Sequence, residues 1–299
     1  MKLKDFRKSL REKVGLGSAF SILLALLILN FLAWLIVYDL SRTEFLEVTF
    51  FDVGQGDAIF IETPQNHQIL IDGGPDSAVL EKINKELPFW DNTLDLIILT
   101  HPEHDHLSGL LEILKRYQVE NILWTGVQKE TAEFEEWQRL IQEEGAKIKI
   151  AQAPQEIKIP KCHLCNLEIL WPLENLAGRE VSNVNNTSII AKLVFGKNSF
   201  LFTGDVYKSV EKEFVNREVD IDSDILKVSH HGSKTSSDED FIREVSPEIA
   251  VIQCGKDNFY GHPHSETLET LEKYGINILR TDISGDIKII CGFQSLNLK

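Results

Sequence analysis

Cysteine is scarce in this chain, with four in 299 residues, which is too few for a disulfide scaffold. Cys162 and Cys165 form one Cys-x-x-Cys without a second pair, so the signal for a zinc ribbon is weak. A reversible disulfide and two plain thiols are equally open readings, and no function attaches to Cys254 or Cys291. Positive charge is also short, with 31 Lys and Arg against 46 Asp and Glu and a net charge of −15. The first thirteen residues carry Lys2, Lys4, Arg7, Lys8, Arg11 and Lys13 against Asp5 and Glu12, so the body beyond them is more acidic still. Such a body does not bind nucleic acid by bulk charge; a polyanionic substrate would need bound cations and a few local lysines. No repeat of fixed period is present. Long apolar runs are missing too, apart from one.

That run, Val14 to Tyr38, contains no charged residue. It is long enough to cross about 30 Å of hydrocarbon at about 1.5 Å per residue. It exceeds a signal-peptide core of about 7–15 residues, and no clear small-residue cleavage site follows. Trp34 and Tyr38 lie near its outer end, as interfacial aromatics do. The basic flank is expected to stay in the cytoplasm. This predicts three parts: a basic cytoplasmic segment 1–13, a transmembrane signal anchor 14–38, and a body 45–299 on the extracytoplasmic side of the cytoplasmic membrane. Ser41 to Glu44 is a short linker.

The body alternates strand-like and helix-like runs. Hairpins interleaved with strand–helix units suggest two mixed sheets with helices outside. Among the expected strands are Asp224–Val228 and Thr187–Phe195. The expected helices include Leu107–Tyr117 and Glu130–Glu144, the latter with Phe134, Trp137, Leu140 and Ile141 as its apolar stripe. Polar residues stand just past the apolar strands: Asp72 after Ile69-Leu70-Ile71, His101 after Leu96 to Thr100, Asp205 after Phe200 to Gly204, and His230-His231 after Ile225 to Ser229. In α/β architectures, sites gather at the carboxyl ends of strands. The densest element is His101-Pro102-Glu103-His104-Asp105-His106, three imidazoles and two carboxylates in six residues without a thiolate nearby. That donor set suits a hydrolytic divalent metal.

Taken in order, these elements resemble the motifs of the metallo-β-lactamase fold. More closely, they resemble the hydrolase domain of ComEC-type DNA-internalisation competence proteins. The residues that carry the likeness are Phe51 to Asp57 (Phe-Asp-Val-Gly-Gln-Gly-Asp), the 101–106 cluster, Asn185-Asn186-Thr187-Ser188, Thr203-Gly204-Asp205, His230-His231-Gly232-Ser233, Asn258 to Pro263, and Thr281-Asp282. The likeness spans Phe45 to Leu298. It implies an α/β fold, a four-layer αββα sandwich, here preceded by one transmembrane helix. Two departures stand out. The family cluster has Asp or His where this chain has Glu103, and His104 is additional, so either Glu103 reaches the metal or His104 substitutes through a loop shift. The competence proteins also carry a multi-helix channel domain, so DNA transport is not expected of a chain with one anchor.

The resemblance further implies two divalent ions, zinc or manganese, with the oxygen-rich cluster leaning towards manganese. His101 and Glu103 would hold one, while Asp105, His106 and one of His230 and His231 would hold the other, with Asp205 bridging. A metal-bridging hydroxide would attack the substrate, and the second histidine of the pair or His262 would protonate the leaving group. Asp105, His231 and His262 are therefore the expected catalytic residues. Asp72 is expected to orient a ligand. Asn186, Ser188, Ser233 and His264 are the candidates for contact with substrate, although Asn-Asn is also plain turn chemistry. The Gln55 to Asp57 stretch is read as turn-forming. The function so read is a membrane-anchored dinuclear hydrolase of phosphodiesters, nucleic acid among them. Hydrolysis of lactams, thioesters or small phosphoesters is the alternative within the fold, and a non-catalytic anchored binding module is the alternative outside it.

Overall fold

A computed structural model describes residues 19–37, 45–292 and 295–298. The basic segment 1–13, both ends of the expected anchor and the linker Ser41 to Glu44 lie outside these residues. The chain divides into two units, Met1–Thr43 and Glu44–Lys299. In the first, α1 (Ala19–Val37) is a 19-residue apolar helix, long enough to cross a membrane. Its described side chains are exposed.

The second unit is built on two sheets. The first contains β1 (Leu46–Phe50), β2 (Ile59–Glu62), β3 (Gln68–Ile71), β4 (Thr93–Leu99), β5 (Gln118–Trp124) and β6 (Lys147–Ile150) in that order. The second runs through β7 (Gln155–Ile157), β8 (Cys165–Trp171), β9 (Ile190–Phe195), β10 (Asn198–Phe202), β11 (Ile225–Lys227), β12 (Ile249–Ile252) and β13 (Asn277–Arg280). The last strands, β14 (Ile287–Cys291) and β15 (Leu296–Leu298), return to the first sheet beside β1. Strands β3 to β6 are parallel, as are β10 to β13; the remaining pairs are antiparallel. Strands buried on both faces are mostly apolar, and their period of two divides them between two cores. Ile69, Ile71, Leu96 and Ile98 face the second sheet. Leu70, Ile97 and Leu99 face the outer helices α2 (Ala78–Glu86), α3 (His104–Leu114) and α4 (Ala132–Glu144). Helices α5 (Lys208–Asn216), α6 (Glu239–Val245) and α7 (Ser265–Lys273) cover the other sheet through Val210, Phe214, Phe241, Ile242 and Leu271. The architecture is thus the expected αββα sandwich.

Helix α4 follows its pattern closely. The Thr131 hydroxyl accepts the Phe134 amide (3.2 Å), Gly145 ends the helix at φ 72°, and Phe134, Trp137, Leu140 and Ile141 are buried. Elsewhere the elements shift. Helix α3 starts at His104 rather than Leu107, so Asp105 and His106 lie in its first turn rather than in a preceding loop. Glu103 is extended after Pro102, its carbonyl accepts the amides of His106 and Leu107 (3.1 and 2.9 Å), and Asp105 stands at the positive end of the helix. Helix α3 lies against the turn after β3; a Cβ on Gly109 would sit 1.8 Å from the Gly73 carbonyl oxygen. The expected strand from Thr187 begins at Ile190, because Asn185–Thr187 forms a 3-10 turn. Strands β7 and β15 and the short α8 (Thr281–Ser284) are additions to the expected set. Cys162 and Cys165 form a disulfide in the turn between β7 and β8.

Candidate metal centre

The carboxyl ends of β3, β4, β10 and β11 meet at one edge of the sandwich, and their polar residues converge there. Asp72 leaves β3 at φ 58° and is fully buried. Its Oδ1 accepts the Thr100 amide (2.8 Å); its Oδ2 accepts the Thr100 hydroxyl (2.7 Å) and His106 Nδ1 (2.9 Å). Because the Thr100 hydroxyl gives its proton to Asp72, its oxygen accepts from His101 Nδ1 (3.0 Å). His231 Nδ1 donates to the Gln253 carbonyl oxygen (2.9 Å). All three imidazoles therefore carry the Nδ1 proton and keep a lone pair on Nε2.

Two of those lone pairs, on His106 and His231, face carboxylates. His106 Nε2 and His231 Nε2 each lie 3.3 Å from Asp205 Oδ2, and His231 Nε2 lies 3.3 Å from Asp105 Oδ2. Asp105, His106, Asp205 and His231 each present one donor atom, all within 4.8 Å of one another. The His106 and His231 Nε2 atoms are both buried without a hydrogen-bond partner among the described residues. Four acceptor atoms brought this close, three of them on buried side chains, favour a cation between them. Burial works against ionised Asp105 and Asp205, yet the His106 and His231 rings hold both well below the usual carboxylate range. Burial works against charged His106 and His231 as well, yet Asp205, joined by Asp72 at His106 and by Asp57 at His231, raises both well above ordinary imidazole values. A proton or a metal ion can meet that demand, and this donor set fits a hydrolytic divalent metal. His101, 4.2 Å from His106 between ring centroids, is pushed down to about 3 by burial and by the His106 charge, so it stays neutral beside the cluster.

Sequence leaves His230 and His231 interchangeable, and the geometry separates them. Both sit in the left-handed region, at φ 51° and 53°. His231 enters the cluster, whereas His230 stacks on Tyr207 (5.2 Å) and keeps its Nε2 3.9 Å from Asp205. Two other expected ligands point elsewhere. Glu103 pairs with Lys129 Nζ at 2.5 Å, and exposed His104 pairs with Ser108 Oγ at 2.8 Å. The helix that brings Asp105 and His106 inward turns its capping residue and His104 towards the surface.

Three candidates for substrate contact are engaged internally. The Asn186 side chain accepts the Tyr207 amide (2.9 Å) and donates to Ser209 Oγ (3.1 Å), so it shapes the start of α5. Ser188 Oγ donates to the Asn185 carbonyl (2.6 Å) and accepts the Asp205 amide (3.0 Å), which positions Asp205. At Gly204, φ 51°, a Cβ would lie 2.7 Å from that of Ser188. Ser233 Oγ pairs with Thr235 Oγ1 (2.9 Å) within its own turn. Asn185, one residue before Asn186, is the side chain beside the cluster, with Nδ2 3.4 Å from His230 Nε2. His262 and His264 stand together at the rim, 5.0 Å between centroids. His264 Nδ1 accepts the Lys234 amide (3.4 Å). Gln55 Oε1 accepts the Gly255 amide (3.2 Å), so its Nε2 donates to His262 Nδ1 (3.4 Å) and the neutral ring carries its proton on Nε2. Burial and the neighbouring histidines push His262 down to about 4.

Two buried charges beneath the cluster escaped the sequence reading. Asp57, read as turn-forming, is 1% exposed with Oδ1 3.3 Å from His231 Nδ1, and Lys227 lies between Asp57 and Asp205. A lysine in the middle of the apolar run Ile225 to Val228 was the available signal for that pair.

Residues 51–161 match the family profile of the metallo-beta-lactamase superfamily. The chain is 32% identical over 261 residues to ComE operon protein 3 of Bacillus subtilis, covering 81% of this chain and 32% of that protein. It is 31% identical over 247 residues to competence protein ComA of Neisseria gonorrhoeae, covering 82% of this chain and 32% of that one. The chain thus spans about a third of the length of these curated relatives. Among solved structures, it is similar to the metallo-beta-lactamase fold protein YhfI of Bacillus subtilis, with TM-score 0.56 at 14% identity over 82% of this chain and 100% of that chain. It is also similar to Igni18, a metallo hydrolase of Ignicoccus hospitalis, with TM-score 0.52 at 16% identity over 82% of this chain and 98% of that one.

Proposed function

The chain has the metallo-β-lactamase fold and is similar over four fifths of its length to competence proteins, and we propose from this that it is a membrane-anchored, metal-dependent phosphodiester hydrolase acting outside the cytoplasm. The observation that carries the reading is the set of four converging donors, two of them buried Nε2 atoms without a partner. In this reading Asp105, His106, Asp205 and His231 would hold a divalent ion, zinc or manganese, and neutral His101 would be available to a second. Glu103 and His104 are left out of the ligand set. Such ions, when bound, activate water near neutral pH and polarise the scissile bond.

The surrounding residues then have distinct tasks. His262, neutral at physiological pH with its proton on Nε2, offers a hydrogen bond to the leaving oxygen rather than a transferable proton. Tyr260, 67% exposed, stacks over His262 at 5.6 Å and presents a flat ring to an incoming base. Exposed Lys234, whose amide meets His264, adds local positive charge at the rim of an acidic body. These features favour a single-stranded nucleic acid among the possible phosphodiesters. The test is elemental analysis of protein purified without chelator, followed by assays on bis-p-nitrophenyl phosphate, single-stranded DNA and a β-lactam with added manganese or zinc. At least one metal equivalent and turnover of the first two substrates are expected. Less than one equivalent would overturn the metal centre, and turnover of the lactam alone would overturn the phosphodiester reading.

The length and apolar character of helix α1 and the six basic residues before it support our reading that the body lies on the extracytoplasmic side. The Cys162–Cys165 disulfide suits that oxidising compartment. A carboxyl-terminal alkaline phosphatase fusion should be active and a cytosol-dependent fluorescent fusion dark; the opposite pattern would reverse the topology.

A further inference from the structure

Lys227, the last residue of β11, is 1% exposed and takes no part in the reaction outlined above. Its Nζ donates to Asp57 Oδ2 and to the Gly204 carbonyl (3.1 Å), and it lies 3.7 Å from Asp205 Oδ1. Asp57 extends the contact in the other direction, with Oδ1 3.3 Å from His231 Nδ1. The Asp57 backbone is tied to the third ligand-bearing segment, its amide donating to the Asp105 carbonyl (3.2 Å). The approach is so close that a Cβ on Gly56 would lie 2.2 Å from that oxygen. One buried ion pair therefore touches the segments that carry Asp105, Asp205 and His231.

Stability alone is a poor reason for such a pair, because well-packed apolar residues often replace buried ion pairs without loss. Its geometry has a directional consequence. The ammonium faces Asp205 Oδ1, and the opposite oxygen, Oδ2, is the one 3.3 Å from both His106 Nε2 and His231 Nε2. We infer that Lys227, held by Asp57, is a positioning residue for the metal ligands: it anchors the Gly204–Asp205 turn and fixes which Asp205 oxygen is presented to the ions. This rests on the metal-centre reading above. Asp57 has a matching task, keeping the ammonium from moving onto Asp205 and competing for its carboxylate.

The test compares the full chain in detergent with Asp57→Asn and with the Asp57→Asn/Lys227→Met double variant, using cobalt(II) as the probe. Asp57→Asn keeps the shape but leaves Asp205 as the remaining carboxylate partner of Lys227. The double variant removes both charges, so no unpaired ion is left buried. Cobalt affinity is expected to fall by about 10- to 100-fold in both, as for other groups that orient metal ligands. The cobalt ligand-field spectrum should change, while the metal-free thermal midpoint of the double variant stays near that of the parent. A folded variant with parental cobalt affinity and spectrum would overturn the inference. The unaltered protein gives a measurement that needs no variant to fold: the Lys227 15Nζ resonance should shift when zinc is added, and an unmoved resonance would also overturn it. Failure of the parent chain to bind cobalt at all would instead overturn the metal-centre reading.

Discussion

Asp205→Ala should retain less than one metal equivalent and hydrolyse phosphodiesters at least about 10³-fold more slowly, equivalent to about 4 kcal/mol of lost transition-state stabilisation. The size of the effect follows from where the carboxylate stands. Its Oδ2 is 3.3 Å from each of two buried imidazole nitrogens that have no hydrogen-bond partner among the described residues. Without it, His106 and His231 face each other with Asp105 alone to balance a dication, and Asp105 is the more exposed of the two carboxylates. Groups that merely orient metal ligands are worth about 10- to 100-fold, so a shared ligand should exceed that range. The fold should survive, because Lys227 keeps its contacts with Asp57 and the Gly204 carbonyl. Asp205→Asn separates charge from shape. It preserves volume but presents one neutral oxygen, so it should lose metal nearly as fully as alanine with a smaller change in thermal midpoint. Undiminished turnover in Asp205→Ala would remove this residue from the chemistry and with it the proposed ligand set.

The sandwich was legible because its strands carry apolar residues on both faces and each ends abruptly in a polar residue. Ile69-Leu70-Ile71 before Asp72 and Phe200-Leu201-Phe202 before Asp205 show that pattern in the sequence, and parallel strands with outer helices bring such ends to one edge. What stayed hidden is set by contacts between distant segments or by single-residue register. The partner of Glu103 is Lys129, 26 positions away on a connection whose course no local pattern reveals. Asn185 and Asn186 have the same chemistry, and only the 3-10 turn determines that the first approaches His230 while the second braces Tyr207. Apolar periodicity begins only at Leu107, one turn inside α3, whereas the backbone geometry at Glu103 begins the helix earlier. Asp57 follows Gly54-Gln55-Gly56, a local pattern of turn chemistry, yet its function as a buried anion depends on Lys227, 170 positions along the chain.

Asp72→Asn should weaken metal binding by about 10- to 100-fold with little change in overall structure. Position 72 requires φ 58°, which asparagine tolerates, so the backbone is not the cause of the loss. The cause is a count of protons. Three donors converge on two carboxylate oxygens: the Thr100 amide on Oδ1, and the Thr100 hydroxyl and His106 Nδ1 on Oδ2. An asparagine oxygen placed at Oδ2 sets its NH₂ against the Thr100 amide, leaving a buried donor without an acceptor, worth about 1–3 kcal/mol. The opposite orientation sets the NH₂ against His106 Nδ1, which then keeps hydrogen bonding only by moving its proton to Nε2. That tautomer has no lone pair to offer a metal ion. This second arrangement also leaves the Thr100 hydroxyl without its acceptor, and the oxygen of that hydroxyl fixes the tautomer of His101. Metal affinity measured by calorimetry should therefore fall in Asp72→Asn, and Asp72→Ala should lose both affinity and thermal stability. Parental affinity in Asp72→Asn would mean that the orientation and tautomer of His106 are set by something other than this carboxylate.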